Sequence, residues 1–392
     1  MRVAVMTQFF PPETLAGANR VAALVEALAE RADVRVAAPR PSYPDPAAYA
    51  AAPPPELPPR ASLVRVAPFS AQARSWPVRA AAESLMALRV ARAATAQPAD
   101  VVVASSPSMF LGPVGLLAAR GRRARYVWDV RDLTWEYGSE SGVVSGPVAG
   151  AAIGLLARVM WWTARHADLV TCATPGLGEV ISQRLAGRRV EVVPNGIDAG
   201  LVAAMDPSPP PRSDALRVLY GGLVGHAQGL EVLVEAAARL PGAQFTVAGD
   251  GPRRAALEEE GRRRGLTNVT FTGYVPPQEL VRLYHGADVL FAQLLPSELH
   301  ATTAAPSKLL EYMAAGRPVV YAGEGAAARL VLDAGAGVVV PPGDAAAIAN
   351  ALDGLSADER LRLGRSARAH AEASPTRLDH MRRLADLVAG IA

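Results

Sequence analysis

Short β-branched runs alternate with Ala/Leu-rich segments of helical period along all 392 residues. That alternation is the signature of βα units wound around parallel sheets. Strand candidates in the first half are Arg2–Met6, Val34–Ala37, Leu63–Val66, Val101–Ala104, Arg125–Trp128, Leu169–Cys172 and Val190–Val193. In the second half they are Arg217–Tyr220, Gln244–Ala248, Val269–Thr272, Val289–Ala292, Pro318–Tyr321 and Gly337–Val340. Helical patterns fill the gaps, for example Arg20–Glu30, Leu230–Leu240 and Arg253–Arg264. Each half opens with a hydrophobic strand, a Gly-bearing loop and a helix, AVMTQFFPPETLAGANR and VLYGGLVGHAQGLE. The expected fold class is α/β, with two Rossmann-like domains facing a central cleft at the carboxyl ends of their strands. The proline-rich DPSPPPRSD at Asp206–Asp214 suits a semi-rigid connection, which puts the boundary near 196–215. The division expected is 1–197 and 198–375, with a C-terminal helix over 376–392 packing back on the first domain.

Neither Gly-bearing loop matches G-x-G-x-x-G, so a nicotinamide dehydrogenase loses ground. Residues 1–195 carry 21 Arg against 15 Asp and Glu, a balance of +6, which leaves −3 for the remainder of a chain of net charge +3. The basic half is the one to examine for an acidic or membrane-surface partner. No basic run is interleaved with aromatics, so no nucleic-acid partner is expected. Cys172 is the single cysteine, which rules out an intrachain disulfide and fits a reducing cytosol. The N-terminus MRVAVMTQFFPPE reads as a first buried strand rather than a signal peptide. Two charge-free stretches, 101–119 and 141–157, are broken by Gly and Pro and are too short to span a bilayer. They read as strand, turn and helix in the first case and as a buried helix in the second.

Among 40 basic residues there is one lysine, Lys308, in TTAAPSKLLEYMAAGRPVV. Pro306 suits a first helical turn, and Leu309, Leu310, Met313 and Ala314 supply an apolar face. A cation at a helix start opposes the dipole, so Lys308 and the free N–H groups there together make a site for a phosphate. Glu311 lies three residues on and shares that face, where it can accept hydrogen bonds from a ribose diol. A surface Lys–Glu pair is the plain alternative. Against it, a neutral surface lysine in this composition would have drifted to arginine, whose planar fork does not replace a compact ammonium.

PSKLLEYMAAGRPVV resembles the nucleotide-sugar motif of the retaining family-4 glycosyltransferases, which have the GT-B fold, and is most similar to members acting in bacterial surface-polysaccharide assembly. The resemblance extends to PPETLAGANR after the first strand, WDVRDL at 128–133, VPNGID at 193–198, YGGLVGHAQGLE at 220–231, VAGDGP at 247–252, FTGYVPPQEL at 271–280 and ADVLFA at 287–292. It implies that Glu311 holds the donor ribose and that Gly273, Tyr274 and Val275 form the turn that meets the base. Gly17 corresponds to the loop close to the donor diphosphate, where a glycine lets backbone approach. Gly249 and Ser307 join the donor set, and Asn195 belongs to the NG turn at the domain junction.

The departures from the family pattern are equally informative. Gly222 and Gln228 stand where many members carry an Arg and a Lys that neutralise the diphosphate, Thr303 stands where the first of two glutamates is usual, and Arg131 replaces a common histidine. A departing nucleoside diphosphate still develops negative charge. Lys308 is then the leading diphosphate partner, assisted by Arg131 or Arg253. Asp129 and Asp132 flank Arg131 after a predicted strand, where each could hold an acceptor or sugar hydroxyl, cap a turn or pair the arginine. No D-x-D triplet occurs, so no metal is implied, and the resemblance implies no cofactor beyond the nucleotide-sugar donor substrate. His226 beside the Gly-rich loop is open between a structural role and substrate contact. Arg74, Trp76, Arg79, Arg89, Arg92 and Trp161–Trp162 fit either solvated helix faces with core tryptophans or an anionic leaflet.

The expectation is a metal-independent, retaining transfer of a hexosyl or N-acetylhexosaminyl group from a nucleoside-diphosphate sugar, with UDP as the carrier. The acceptor is a lipid-linked glycan, carried on polyprenyl diphosphate, at the cytoplasmic membrane face. A secondary-metabolite acceptor is the alternative within the class. A nucleotide-sugar 2-epimerase shares the fold but needs a different set of cleft carboxylates and histidines, and a non-catalytic two-lobed binding protein would be an exported precursor.

Overall fold

The structure, a computed structural model, describes residues 1–42, 46–49, 52–68, 76–136, 147–185, 187–211, 213–295 and 308–392. The chain forms two compact units, Met1–Asn195 with Arg377–Ala392, and Gly196–Thr376. It passes from the first to the second at Asn195–Gly196, so the proline-rich Asp206–Asp214 lies inside the second unit instead of connecting the two.

The first unit is built on β1 (Arg2–Met6), β2 (Asp33–Pro39), β3 (Ala61–Val66), β4 (Val101–Ser105), β5 (Arg125–Val130), β6 (Leu169–Cys172) and β7 (Val190–Val192), in the order β3-β2-β1-β4-β5-β6-β7. Every pairing is parallel. Central β4, VVVAS, is buried at all five positions, as a strand covered on both faces must be, whereas edge strand β3 is half-buried. Alternate residues divide between the two faces. Val3, Val5, Val101, Val103 and Val127 join the helix Ala16–Ala29 and the C-terminal helix Arg377–Ala389 in one apolar cluster. On the other face the helix Leu111–Gly121 seats Gly112 on Trp128 and Gly115 against Tyr126 and Ala104. This helix packs between Trp76–Ala94 and Pro147–His166. Of the stretch read as a buried helix, residues 147–157 fall in Pro147–His166, and there Leu155 is 61% exposed. Residues 141–146 lie outside the described residues.

The second unit repeats the plan. Strands β8 (Arg217–Gly221), β9 (Gln244–Ala248), β10 (Val269–Gly273), β11 (Val289–Gln293), β12 (Val319–Ala322) and β13 (Gly337–Val340) run parallel in the order β10-β9-β8-β11-β12-β13. Two apolar clusters cover its faces, one with the helices Glu231–Arg239 and Ala345–Gly354, the other with Lys308–Ala314 and Ala357–Ala373. Strand order reverses between β1 and β4 in one sheet and between β8 and β11 in the other, the places where open α/β sheets bind ligands. Among the described residues no helix is long and apolar enough to cross a membrane.

Candidate active site

In the second unit the chain leaves β8 through Tyr220, Gly221 and Gly222, beside the helix that begins at Lys308. Lys308 Nζ donates to Tyr220 Oη at 2.6 Å and lies 4.0 Å from the centre of that ring. Tyr220 Oη in turn donates to the Leu223 carbonyl at 2.5 Å, so its lone pairs face the lysine. Burial pushes the Lys308 ammonium down to about 7, with the charge of Glu311 opposing the shift. A Cβ on Gly222, whose φ is +130°, would come within 3.0 Å of Lys308 Nζ. The loops after β8, β9 and β10 meet through glycines. A Cβ on Gly249 would lie 1.8 Å from the Gly222 carbonyl oxygen, and Gly249 bridges to Gly273.

Glu311 is one turn past Lys308 and accepts from Tyr284 Oη at 3.5 Å. Tyr284 meets Tyr312 edge-on, ring centres 5.5 Å apart. The backbone N–H of Gly221 donates to Tyr312 Oη at 2.9 Å, and Tyr312 Oη donates to the Gly221 carbonyl at 3.1 Å. These phenols pin the helix Lys308–Ala314 to the end of β8. Burial raises the pKa of all three tyrosines, 220, 284 and 312, so they act as neutral hydrogen-bonding groups. Sequence reasoning missed them, although Tyr312 adjoins Glu311 in the motif and Tyr220 ends a predicted strand.

The remaining donor candidates have clear places. Gln228 Oε1 accepts from the Gly225 N–H at 3.1 Å, shaping its own loop, and Gln293 Nε2 clamps that loop through the carbonyls of Gln228 at 3.1 Å and Gly229 at 2.7 Å. Tyr274 is exposed, and Val275 packs on the apolar cluster beneath. Arg253, expected as an assistant to Lys308, is held by Glu231, with its Nε donating at 3.0 Å. His226 is exposed at the start of a short turn. Thr303 and Ser307 lie outside the described residues.

In the first unit, at the β1/β4 reversal, a Cβ on Gly17 would fall 2.1 Å from Arg131 Nη1. Gly17 and Arg131, singled out separately in the sequence, are therefore in contact. The Arg131 backbone N–H donates to Ser106 Oγ at 2.7 Å and its Nη1 to the Ser106 carbonyl at 3.2 Å, while its buried Nε–H has no partner among the described residues. Burial lowers the guanidinium pKa, with Asp132 opposing. Asp132 is half-buried beside it.

Asp129 requires correction. It was expected among the acceptor ligands, but it is fully buried and already saturated. Arg20 donates to both its carboxylate oxygens, Nη2 at 2.8 Å and Nε at 3.0 Å, Ser105 Oγ donates at 3.0 Å and Thr171 Oγ1 at 2.8 Å. Burial pushes its pKa up, but the charge and hydrogen bonds of Arg20 bring it net below the usual value. Arg20 Nη1 also donates to the carbonyls of Val193 at 2.9 Å and Pro194 at 3.2 Å, and to Asn195 Oδ1 at 3.2 Å. The Arg20–Asp129 pair therefore ties the helix carrying Gly17 to the end of β5 and to the segment carrying Asn195.

Two family models match the chain, the glycosyl transferase 4-like domain over residues 16–196 and the glycosyl transferases group 1 over residues 215–358. Each falls on one of the two parallel-sheet units. The chain belongs to family 4 of the GT-B glycosyltransferases. Glycogen synthase of Mycobacterium tuberculosis is 31% identical over 254 residues, 61% of this chain and 58% of that protein. The lipopolysaccharide core biosynthesis glycosyltransferase LpsE of Rhizobium meliloti is 31% identical over 208 residues, 53% and 59% of the two chains. The chain thus spans a little over half the length of these curated relatives. HepE of Anabaena, solved with UDP and glucose, superposes over the whole of both chains with a TM-score of 0.70 at 18% identity, a likeness that carries the fold. In this chain the second unit offers a partly buried ammonium with a carboxylate one turn on, and the first offers a partly buried guanidinium against bare backbone.

Proposed function

We propose that this glycosyltransferase moves a hexosyl or N-acetylhexosaminyl group, with retention, from a UDP-sugar to a hydroxyl of a lipid-linked glycan in bacterial surface-polysaccharide assembly. The observation that carries the reading is Lys308, an ammonium held 2.6 Å from a phenol beside the close-packed Gly222 and Gly249. A desolvated ammonium is costly, and a diphosphate supplies the charge that stabilises it. Glu311 would accept from the ribose diol, the Gly273–Val275 turn would run along the base, and the tyrosines would hold Glu311 and Lys308 in register. In the first unit, Arg131, Gly17, Asp132 and Asn195 are the groups assigned to substrate.

As the bond between the anomeric carbon and the diphosphate oxygen breaks, its electron pair passes to that oxygen. Lys308 stabilises the charge developing there, the kind of preorganised electrostatic stabilisation that dominates many enzymes. The acceptor hydroxyl attacks from the same face and its proton passes to the leaving diphosphate, so the products are the glycosylated acceptor and UDP. No protein base and no cofactor is needed in this scheme. The relatives that act in lipopolysaccharide and the neighbour solved with UDP support the choice of acceptor and carrier.

A thermal-shift screen of nucleotide sugars tests the donor, with a UDP-sugar expected to stabilise the wild type and not Lys308→Ala. UDP release that depends on added lipid-linked acceptor is the expected turnover. Epimerised donor formed without acceptor would overturn the assignment, as would stabilisation by no nucleotide sugar at all.

A further inference from the structure

The helices Trp76–Ala94, Leu111–Gly121 and Pro147–His166 lie side by side on one face of the first unit. Together they carry six arginines, Arg79, Arg89, Arg92, Arg120, Arg158 and Arg165, against one acid, Glu83. Glu83 is turned to use inside the unit, accepting from Ser108 Oγ at 2.6 Å and from the Met109 N–H at 3.1 Å. All six arginines are exposed, and so are Arg122 and Arg123 at the end of the middle helix. Among the described residues the next exposed carboxylate in this layer, Glu179, is on a fourth helix, Pro175–Arg184.

Each of the three helices also leaves large apolar side chains in water. Val78, Leu85 and Leu88 stand out on the first, Leu117 on the second at 63% exposure, and Leu155, Val159 and Trp162 on the third. The spacing 155, 159, 162 is one helical face, and Arg158 and Arg165 share it. Beside it, Arg158, Val159, Trp161, Trp162, Arg165 and Arg184 line a groove of about 550 Å³, with the Arg184 guanidinium 5.5 Å from the centre of the Trp161 ring.

We infer that this layer is a docking surface for an anionic phospholipid bilayer, with lipid phosphates drawn into the Arg158–Arg165–Arg184 groove and the leucines, Val159 and Trp162 entering the headgroup boundary. The charge is of one sign and the apolar residues are interspersed with it, the pairing that holds a peripheral protein on an anionic leaflet. A second copy of the chain would bring six like charges against six. A nucleic acid would satisfy the arginines and leave Leu117, Leu155 and Val159 wet. The inference deepens the lipid-linked acceptor reading but stands on surface chemistry alone, so a vesicle assay and a transfer assay fail separately.

The test is flotation of the full chain with phosphatidylcholine vesicles, plain or with about a third phosphatidylglycerol. Binding is expected to the anionic vesicles only and to weaken with salt. Arg158→Glu with Arg165→Glu should weaken it more than about tenfold, and Leu117→Ser with Leu155→Ser should also lower it. Circular dichroism and the UDP-sugar thermal shift should match wild type in both variants. Equal binding to both vesicle types, binding to neither, or arginine variants that bind like wild type would overturn the inference. A concentration-dependent dimer abolished by the leucine changes, or a nucleic acid lost with the arginines while vesicle binding persists, would assign the surface to that partner instead.

Discussion

An ammonium taken out of water gives up its proton readily until an anion arrives, and Lys308 is in that position. With its pKa near 7 in the free protein, the proposed UDP-sugar diphosphate would raise it on binding, so binding above that pH would take up a proton. Affinity should therefore be greatest below about pH 7 and fall as pH rises through it, by up to about tenfold per pH unit until the pKa of the complex is passed. Calorimetric titration of a UDP-sugar between about pH 6 and pH 9 should trace that slope, and Lys308→Arg should flatten it because a guanidinium does not titrate there. Turnover should fall roughly a hundredfold or more in Lys308→Ala, the scale of losing one preorganised donor, and Glu311→Ala should also fall severely, with both melting temperatures close to wild type. Gly17→Ala is a different residue-scale case. Its methyl would meet the flexible end of Arg131, 2.1 Å from Nη1, which can swing away. The expected outcome is lost transfer at nearly unchanged stability, and an active Gly17→Ala enzyme would remove Arg131 from the site.

At the scale of elements, the Arg20–Asp129 pair is a fastening within the first unit. Asp129→Ala would strand the Arg20 guanidinium in the core, and breaking such a buried pair costs about 3–5 kcal/mol. Denaturant unfolding of Asp129→Ala should show that loss, whereas an acceptor ligand would cost activity and little stability. The same pair marks where the sequence stopped being legible. Strands such as β4 and β9 were readable because a parallel strand is an apolar run closed by turn residues, a signal contained within five positions. Lys308 was conspicuous because its residue type is unique in the chain. Asp129 looked like a site residue because it follows a strand, but its partner is 109 residues away, and no local pattern reports a contact of that range. Tyr284 and Tyr312 escaped for the same reason, since each reads as ordinary helix core until the two helices are brought together. The stretch 141–157 failed differently: its apolar sequence reads as a buried helix, although within Pro147–His166 Leu155 of that stretch stands exposed, and an exposed apolar face has the same composition.

At the scale of the whole molecule, one strand order occurs twice, and the chain ends by returning to the sheet on which it began. The helix Arg377–Ala389 buries Met381, Leu384, Ala385 and Val388 in the cluster formed with Val21, Leu24, Val25 and Leu28 of the helix Ala16–Ala29. Arg383 Nη2 adds an ion pair to Glu191 at 3.1 Å, and Arg382 pairs with Glu30. Met381, Leu384 and Val388 each contribute about 1.5–3 kcal/mol, so this helix supplies an amount comparable with the whole stability of an ordinary domain, about 5–15 kcal/mol. Deleting Arg377–Ala392 should therefore unfold the first unit and spare the second, although the cut lies directly after the second in sequence. Scanning calorimetry with and without a UDP-sugar can tell the two apart, because donor should raise the transition of the unit that carries Lys308 and Glu311 more than that of the other. The expected trace for the truncated chain keeps that donor-responsive transition and loses or lowers the other. Loss of the donor-responsive transition instead would mean that the C-terminal helix supports the unit that carries Lys308 and Glu311.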